Sequence, residues 1–141
     1  MQEHDQALVQ LSHLRKASST IAEDGYAPDP WRRLVKAIEF IQDEVTDHNQ
    51  REEDALFPVL ERYVEGPTEL MRGEHRILKK EFSRLQKAFK SLEKDHENHK
   101  AAENVAEISR GIVRIMVNHI HKENHILFPL VQKFLTKDAL R

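Results

Sequence analysis

Two His-Glu pairs in this chain are spaced so that they could do chemistry together. His48 and Glu52 are four residues apart, and so are His119 and Glu123. On a helix that spacing puts both side chains on one face. His4 and His75 can each add an imidazole from another segment. Four imidazoles and two carboxylates form a donor set suited to iron, manganese or zinc. Without metal, two carboxylates gathered in a core would repel each other, and one or both would have to take up a proton. Two divalent cations reverse that penalty. If Glu52 and Glu123 each bridge and each ion takes two His, a bridging oxide or hydroxide still leaves an open position on an octahedral ion. Dioxygen, nitric oxide, peroxide or water could bind there.

One helical His-x-x-x-Glu pair is commonly no more than a surface hydrogen bond. The two pairs here gain weight from an internal repeat. Shifted by 71 residues, the first half lands on the second without a gap. Glu3-His4 falls on Glu74-His75, His48 on His119 and Glu52 on Glu123. Leu56-Phe57-Pro58 falls on Leu127-Phe128-Pro129. Leu14, Ala17 and Ile41 fall on Leu85, Ala88 and Ile112. Residues 1–66 and 72–137 therefore read as two related helical hairpins within one domain, 1–141.

The elements that must position these residues are helices. Apolar residues recur at helical spacing in four stretches. Leu8, Leu11, Leu14 and Ile21 mark the first, and Leu34, Ile38, Ile41, Val45, Leu56 and Leu60 the second. Ile77, Leu78, Phe82, Leu85, Phe89 and Leu92 mark the third, and Val105, Ile108, Ile112, Ile115, Met116 and Val131 the fourth. No useful stretch alternates with the period of a strand. The breaks are a loop at residues 24–30, Gly66-Pro67 with Thr68 as a helix N-cap, and a polar stretch from Asp95 to Lys100. The expected fold is all-α, an up-down-up-down four-helix bundle of two pseudo-symmetric hairpins. Pro58 and Pro129 cannot donate to the carbonyls of Asp54 and His125, so a kink or weakened turn is expected at each.

Composition narrows the functional classes. The 141 residues carry a formal net charge of −2, which gives no reason to expect nucleic acid or a membrane as partner. No apolar run approaches the roughly 20 residues of a membrane span, and no apolar leader follows Met1. The default location is cytoplasmic. There is no Cys, so thiolate metal sites, Cys nucleophiles and disulfides are excluded. Of the nine His, the five outside the proposed site (His13, His96, His99, His121 and His125) read as surface residues. Glu53 and Asp54 are acidic neighbours of the site, and Glu53 is a candidate outer ligand. Lys79, one turn after His75, reads either as facing the site entrance or as solvated.

Together, Glu3-His4, Glu74-His75, the doubled His-x-x-x-Glu and the doubled Leu-Phe-Pro resemble the hemerythrin-like family of HHE cation-binding domains. The resemblance covers almost the whole chain. It implies a four-helix bundle holding two iron ions bridged by carboxylates and an oxide or hydroxide, though other divalent metals suit the same donors. By that resemblance His4, His48, His75 and His119 are terminal ligands and Glu52 and Glu123 bridging ligands. The marine-worm oxygen carriers of this family have a second His where this chain has Lys79, and an Asp where it has Asn124. The doubled-Glu pattern is more similar to the domains of iron-sensing and iron–sulfur-repair proteins. The leading expectation is a di-iron module that binds or senses oxygen, nitric oxide or iron. Alternatives are a di-iron enzyme acting on peroxide or nitric oxide, an iron donor for iron–sulfur repair, and a metal-free helical interaction module.

Overall fold

A computed structural model describes the backbone of residues 2–139 and the side chains of residues 4–134. The side chain of Glu3, and those of residues 135–137 at the end of the second repeat, lie outside this range. Four long helices make up nearly all of the described backbone, and no strand occurs among the described residues.

The first helix, Gln2–Asp24, ends where Gly25 turns to a φ of +87°. The Gly25 N–H donates to the Ile21 carbonyl at 3.0 Å, a helix stop that glycine adopts without side-chain strain. The second helix begins at Pro28, earlier than the loop expected through Pro30. Proline suits a first turn because its missing N–H would have no partner there. The third helix, Pro67–Lys94, begins in the same way after Gly66 at φ +108°. Thr68 is therefore not the N-cap. It lies inside the first turn, 3% exposed. Asn98 caps the fourth helix by accepting from the Ala101 N–H at 3.1 Å.

The second helix, residues 28–60, and the fourth, residues 99–139, are not uniform α-helices. Each widens into a π-helical turn at the expected Pro, at Glu52–Leu56 and Glu123–Leu127. The prolines thus produce a wider turn in a continuous rod: shifting the hydrogen-bond ladder accommodates the missing donor. The second helix has a further π-turn at Ile41–Val45, where the Thr46 hydroxyl donates to the Ile41 carbonyl at 3.2 Å.

The first helix packs along the second and the fourth, and the third along the fourth. The main core fills the long part of the bundle with Leu11, Leu14, Leu34, Ala37, Leu78, Leu85, Ile112 and neighbours. A smaller core, Phe57, Leu60, Met71 and Leu127, lies beyond the His and Glu positions. Along three helices the order is the same. Val45, His48, Glu52 and Phe57 follow one another on the second, Met71, His75 and Leu78 on the third, and Met116, His119, Glu123 and Leu127 on the fourth. A polar layer is thereby enclosed between two apolar ones. Leu8 and Ile77, taken from the sequence as core positions, are 41% and 53% exposed, since they lie off the buried stripe of their helices.

Leu14 has no exposed surface. Leu14→Ala is expected to cost about 2–5 kcal/mol in urea unfolding, from lost burial plus the cavity left behind. Leu70→Ala, at a side chain 48% exposed, should stay within about 0.5 kcal/mol of the parent.

Candidate metal centre

Each helix contributes to the polar layer. His4 lies in the first turn of the first helix, His48 and Glu52 on the second, His75 on the third, and His119 and Glu123 on the fourth. His4, Glu52, His75, His119 and Glu123 are at most 5% exposed, and His48 is half-buried. All six converge.

The contacts divide the cluster into two pockets of donors that share Glu123. Glu123 Oε1 is 2.8 Å from His119 Nε2, while its Oε2 is 2.7 Å from His4 Nε2 and 3.8 Å from His48 Nε2. Glu52 is arranged the same way. Its Oε1 is 3.5 Å from His75 Nε2 and its Oε2 3.4 Å from His48 Nε2. Glu123 thus turns one oxygen toward His119 and the other toward His4 and His48, and Glu52 turns one toward His75 and the other toward His48. Two groups of potential ligand atoms result: Glu52, His75, His119 and Glu123 in one, and His4, His48 and Glu123 in the other.

Buried charge is the dominant electrostatic fact. Both oxygens of Glu52 and Oε1 of Glu123 are buried and lack a well-directed hydrogen bond, although imidazole nitrogens lie 2.8, 3.4 and 3.5 Å away. An unsatisfied buried carboxylate is costly. Without metal, imidazolium protons offset that cost. The carboxylates of Glu123 and then Glu52, 3.8 and 3.4 Å from its Nε2, raise His48 to about 10. Burial would lower His119, yet its hydrogen bond to Glu123 and the pull of that charge raise it above the usual imidazole value. Burial likewise pushes Glu123 up, but hydrogen bonds from His119, His4 and His48 hold it far below the usual carboxylate range. Cations at the same positions would replace those protons, and the donor chemistry fits iron, manganese or zinc.

The surroundings of the imidazoles are also built. His119 Nδ1 lies 2.8 Å from Glu74 Oε1, and Lys122 Nζ donates to the other oxygen of Glu74. His4 Nδ1 lies 3.1 Å from Asn124 Oδ1. Phe57 stacks on His75 with centroids 5.7 Å apart, and Phe128 on His4 at 5.5 Å. The Phe of each Leu-Phe-Pro is therefore a wall of the site, brought there by the π-turn before it. A cavity of about 40 Å³ opens beside the cluster, lined by His4, Ala7, Val45, His48, Met116 and Glu123 among others. A second, of about 60 Å³, reaches His75 between Asn49, Glu53 and Lys79.

The chain matches the model of the Hemerythrin HHE cation binding domain over residues 1–131. It belongs to the hemerythrin HHE family. Searches of curated proteins and of solved structures returned no significant match. Membership of a family defined by cation binding agrees with a buried His and Glu cluster that could hold metal. No helix among the described residues is long and apolar enough to cross a membrane.

The residues around the hemerythrin-type cluster differ in part from the sequence expectations. Glu53 Oε2 stays 3.8 Å from His75 Nδ1, and Asp54 turns to the surface to pair with Gln50. Lys79 is exposed yet lines the cavity at His75, so both of its readings hold in part. His99, His121 and His125 are exposed as expected, and His13 is half-buried. His96 is a correction: it stacks on Tyr26 with centroids 4.2 Å apart and packs against Trp31 at 4.6 Å, joining a small aromatic cluster. Sequence reasoning missed the partners Glu74, Lys122 and Asn124. The recurrence of Glu immediately before His at the repeat offset was the available signal for Glu74.

These shifts give the metal-free protein a definite pH dependence. His48 is raised from 6.5 to about 10, so its contribution to stability is full below pH 6.5 and is lost as pH rises through about 10. Glu74 and Glu123 are lowered from 4.5, so theirs is present above pH 4.5 and is lost in acid. The melting temperature of chelator-treated protein should fall between pH 6.5 and 10, and His48→Gln should reduce that fall. A flat profile would contradict proton compensation in the cluster.

Proposed function

We propose that this chain is a di-metal binding module, with iron as its resident metal, that binds or senses a small ligand such as dioxygen or nitric oxide. In this reading His4 and His48 are terminal ligands of one ion and His75 and His119 of the other. Glu52 and Glu123 bridge them, together with an oxide or hydroxide. The observation that carries the reading is the division of each buried carboxylate, Glu123 between His119 on one side and His4 and His48 on the other, and Glu52 between His75 and His48. That arrangement leaves buried oxygens unsatisfied without cations and suits them to two cations at once. The alternating direction of the helices and the two-hairpin symmetry belong to the same proposal.

Ions held there would supply open coordination positions for a small ligand. The chain's own contribution is to fix the donors, exclude bulk water and shape the approach. The 40 Å³ cavity suits that role. It has room for a few water-sized molecules, since one needs about 10–15 Å³ measured this way. Ala7, Val45, Met116 and Ile120 give it much of its lining, next to His4 and His48. A diatomic fits such a space, whereas a large substrate does not.

Protein produced with added iron is expected to carry about two metal ions per chain by elemental analysis. Glu52→Ala combined with Glu123→Ala should abolish that content. A metal-free parent, or a double variant that keeps its metal, would refute the proposal. Ala7→Leu, which narrows the cavity, should leave the metal content unchanged and weaken the optical response of the reduced protein to nitric oxide. An unchanged response would exclude this cavity as the route.

A further inference from the structure

Glu74 belongs to neither group of potential metal ligands, yet its carboxylate is fully engaged. One oxygen lies 2.8 Å from His119 Nδ1, and the other accepts from Lys122. Its side chain is 14% exposed, while that of His119 is 2% exposed. Glu74 comes from the third helix, immediately before His75, and both partners come from the fourth. The contact therefore ties together the two helices that carry His75 and His119.

Its chemical consequence follows from the two nitrogens of an imidazole. A carboxylate facing Nδ1 keeps the proton there and leaves the Nε2 lone pair toward the cluster. His119 Nε2 is 2.8 Å from Glu123 Oε1 and 3.1 Å from His75 Nε2, so that lone pair points where a cation would sit. A negative group behind the ring also makes it a stronger donor, and a stronger donor favours a ferric ion over a ferrous one. His4 differs, because its Nδ1 faces the neutral amide oxygen of Asn124 at 3.1 Å. A neutral partner orients a ring with far less charge behind it.

We propose that Glu74, pinned by Lys122, is a positioning residue that holds His119 as a strongly donating ligand and biases the site toward the oxidised metal. The inference rests on the two-metal reading above. The test uses the full chain as parent, Glu74→Gln and Glu74→Ala. Zn(II) binding is measured by chelator competition, and the midpoint potential of the iron-loaded protein by dithionite titration with mediator dyes, each step being one-electron reduction of a ferric to a ferrous ion.

Glu74→Ala, which removes both charge and hydrogen bond, should weaken Zn(II) binding about 10- to 100-fold. Glu74→Gln keeps an acceptor and nearly the same shape. It should lose less affinity but raise the midpoint potential, by about 59 mV for each tenfold selective loss of the ferric state. Unchanged affinity in Glu74→Ala would overturn the proposal. So would an unmoved potential in Glu74→Gln, which would reduce Glu74 to a packing contact. If Glu74→Ala does not fold, the near-isosteric Glu74→Gln still decides on the potential. A parent that fails to take up two Zn(II) per chain would instead refute the two-metal reading itself.

Discussion

Two carboxylates are buried side by side in the middle of an apolar bundle, and the rest of the structure is organised around that cost. Glu52 and Glu123 are 5% and 1% exposed. Carboxylates at such depth require positive charge or protons nearby. The basic groups within 4 Å of both carboxylates are imidazoles. The countercharge must come from imidazolium or from cations, and the four His can serve either way. As imidazolium they pair with the carboxylates, and as neutral rings they turn lone pairs toward the same space. Metal binding and protonation therefore compete for one set of atoms. The apolar layers on either side raise the stakes, because water cannot solvate whichever charge is left unmatched.

The local backbone serves the same end. A regular α-helix cannot carry a Pro at its interior without losing a hydrogen bond and meeting the preceding turn. Both Pro follow a π-turn that begins at a buried Glu of the cluster, at Glu52–Leu56 and Glu123–Leu127. The wider turn carries the helix through the Pro and sets the adjacent Phe against an imidazole, Phe57 on His75 and Phe128 on His4. His4 shows why that matters. It lies in the first turn of its helix, yet it is only 5% exposed, held by Phe128, Glu123 and Asn124, all from the fourth helix. Tertiary packing fixes a residue whose own helix has barely begun.

Much of this was legible in the sequence, for identifiable reasons. Helical periodicity and scarce breakers marked four helices, and equal spacing at a fixed offset picked out six residues that do converge. What escaped was of two kinds. Helix starts depend on backbone choices at single residues, so Pro28 and Pro67 each began a helix where a loop or a cap at Thr68 was expected. The partners of the imidazoles depend on side-chain direction across helices, which spacing along one helix does not encode. Glu53 looked like an outer ligand by proximity in sequence. It does lie beside His75, 3.8 Å from Nδ1, but the hydrogen bonds behind His119 and His4 come from Glu74 on the third helix and Asn124 on the fourth. His96 was misplaced for a related reason: a His in a polar stretch reads as solvated until Tyr26 and Trp31 from the opposite hairpin meet it.

The approaches to the cluster break its symmetry more than the ligand types do. On the His4 and His48 side, Ala7, Val45, Met116 and Ile120 line the cavity together with Gln6, Glu44, Asn49 and Arg51. On the His75 side, Asn49, Gln50, Glu53 and Lys79 make the cavity polar. Asn49, 8% exposed, lines both cavities. A bundle with near-equivalent halves can in this way offer inequivalent faces to what reaches its centre. The difference comes from side chains one layer beyond the donors, and those are the positions where the two repeats diverge: Glu53 against Asn124, and Asn49 against Ile120.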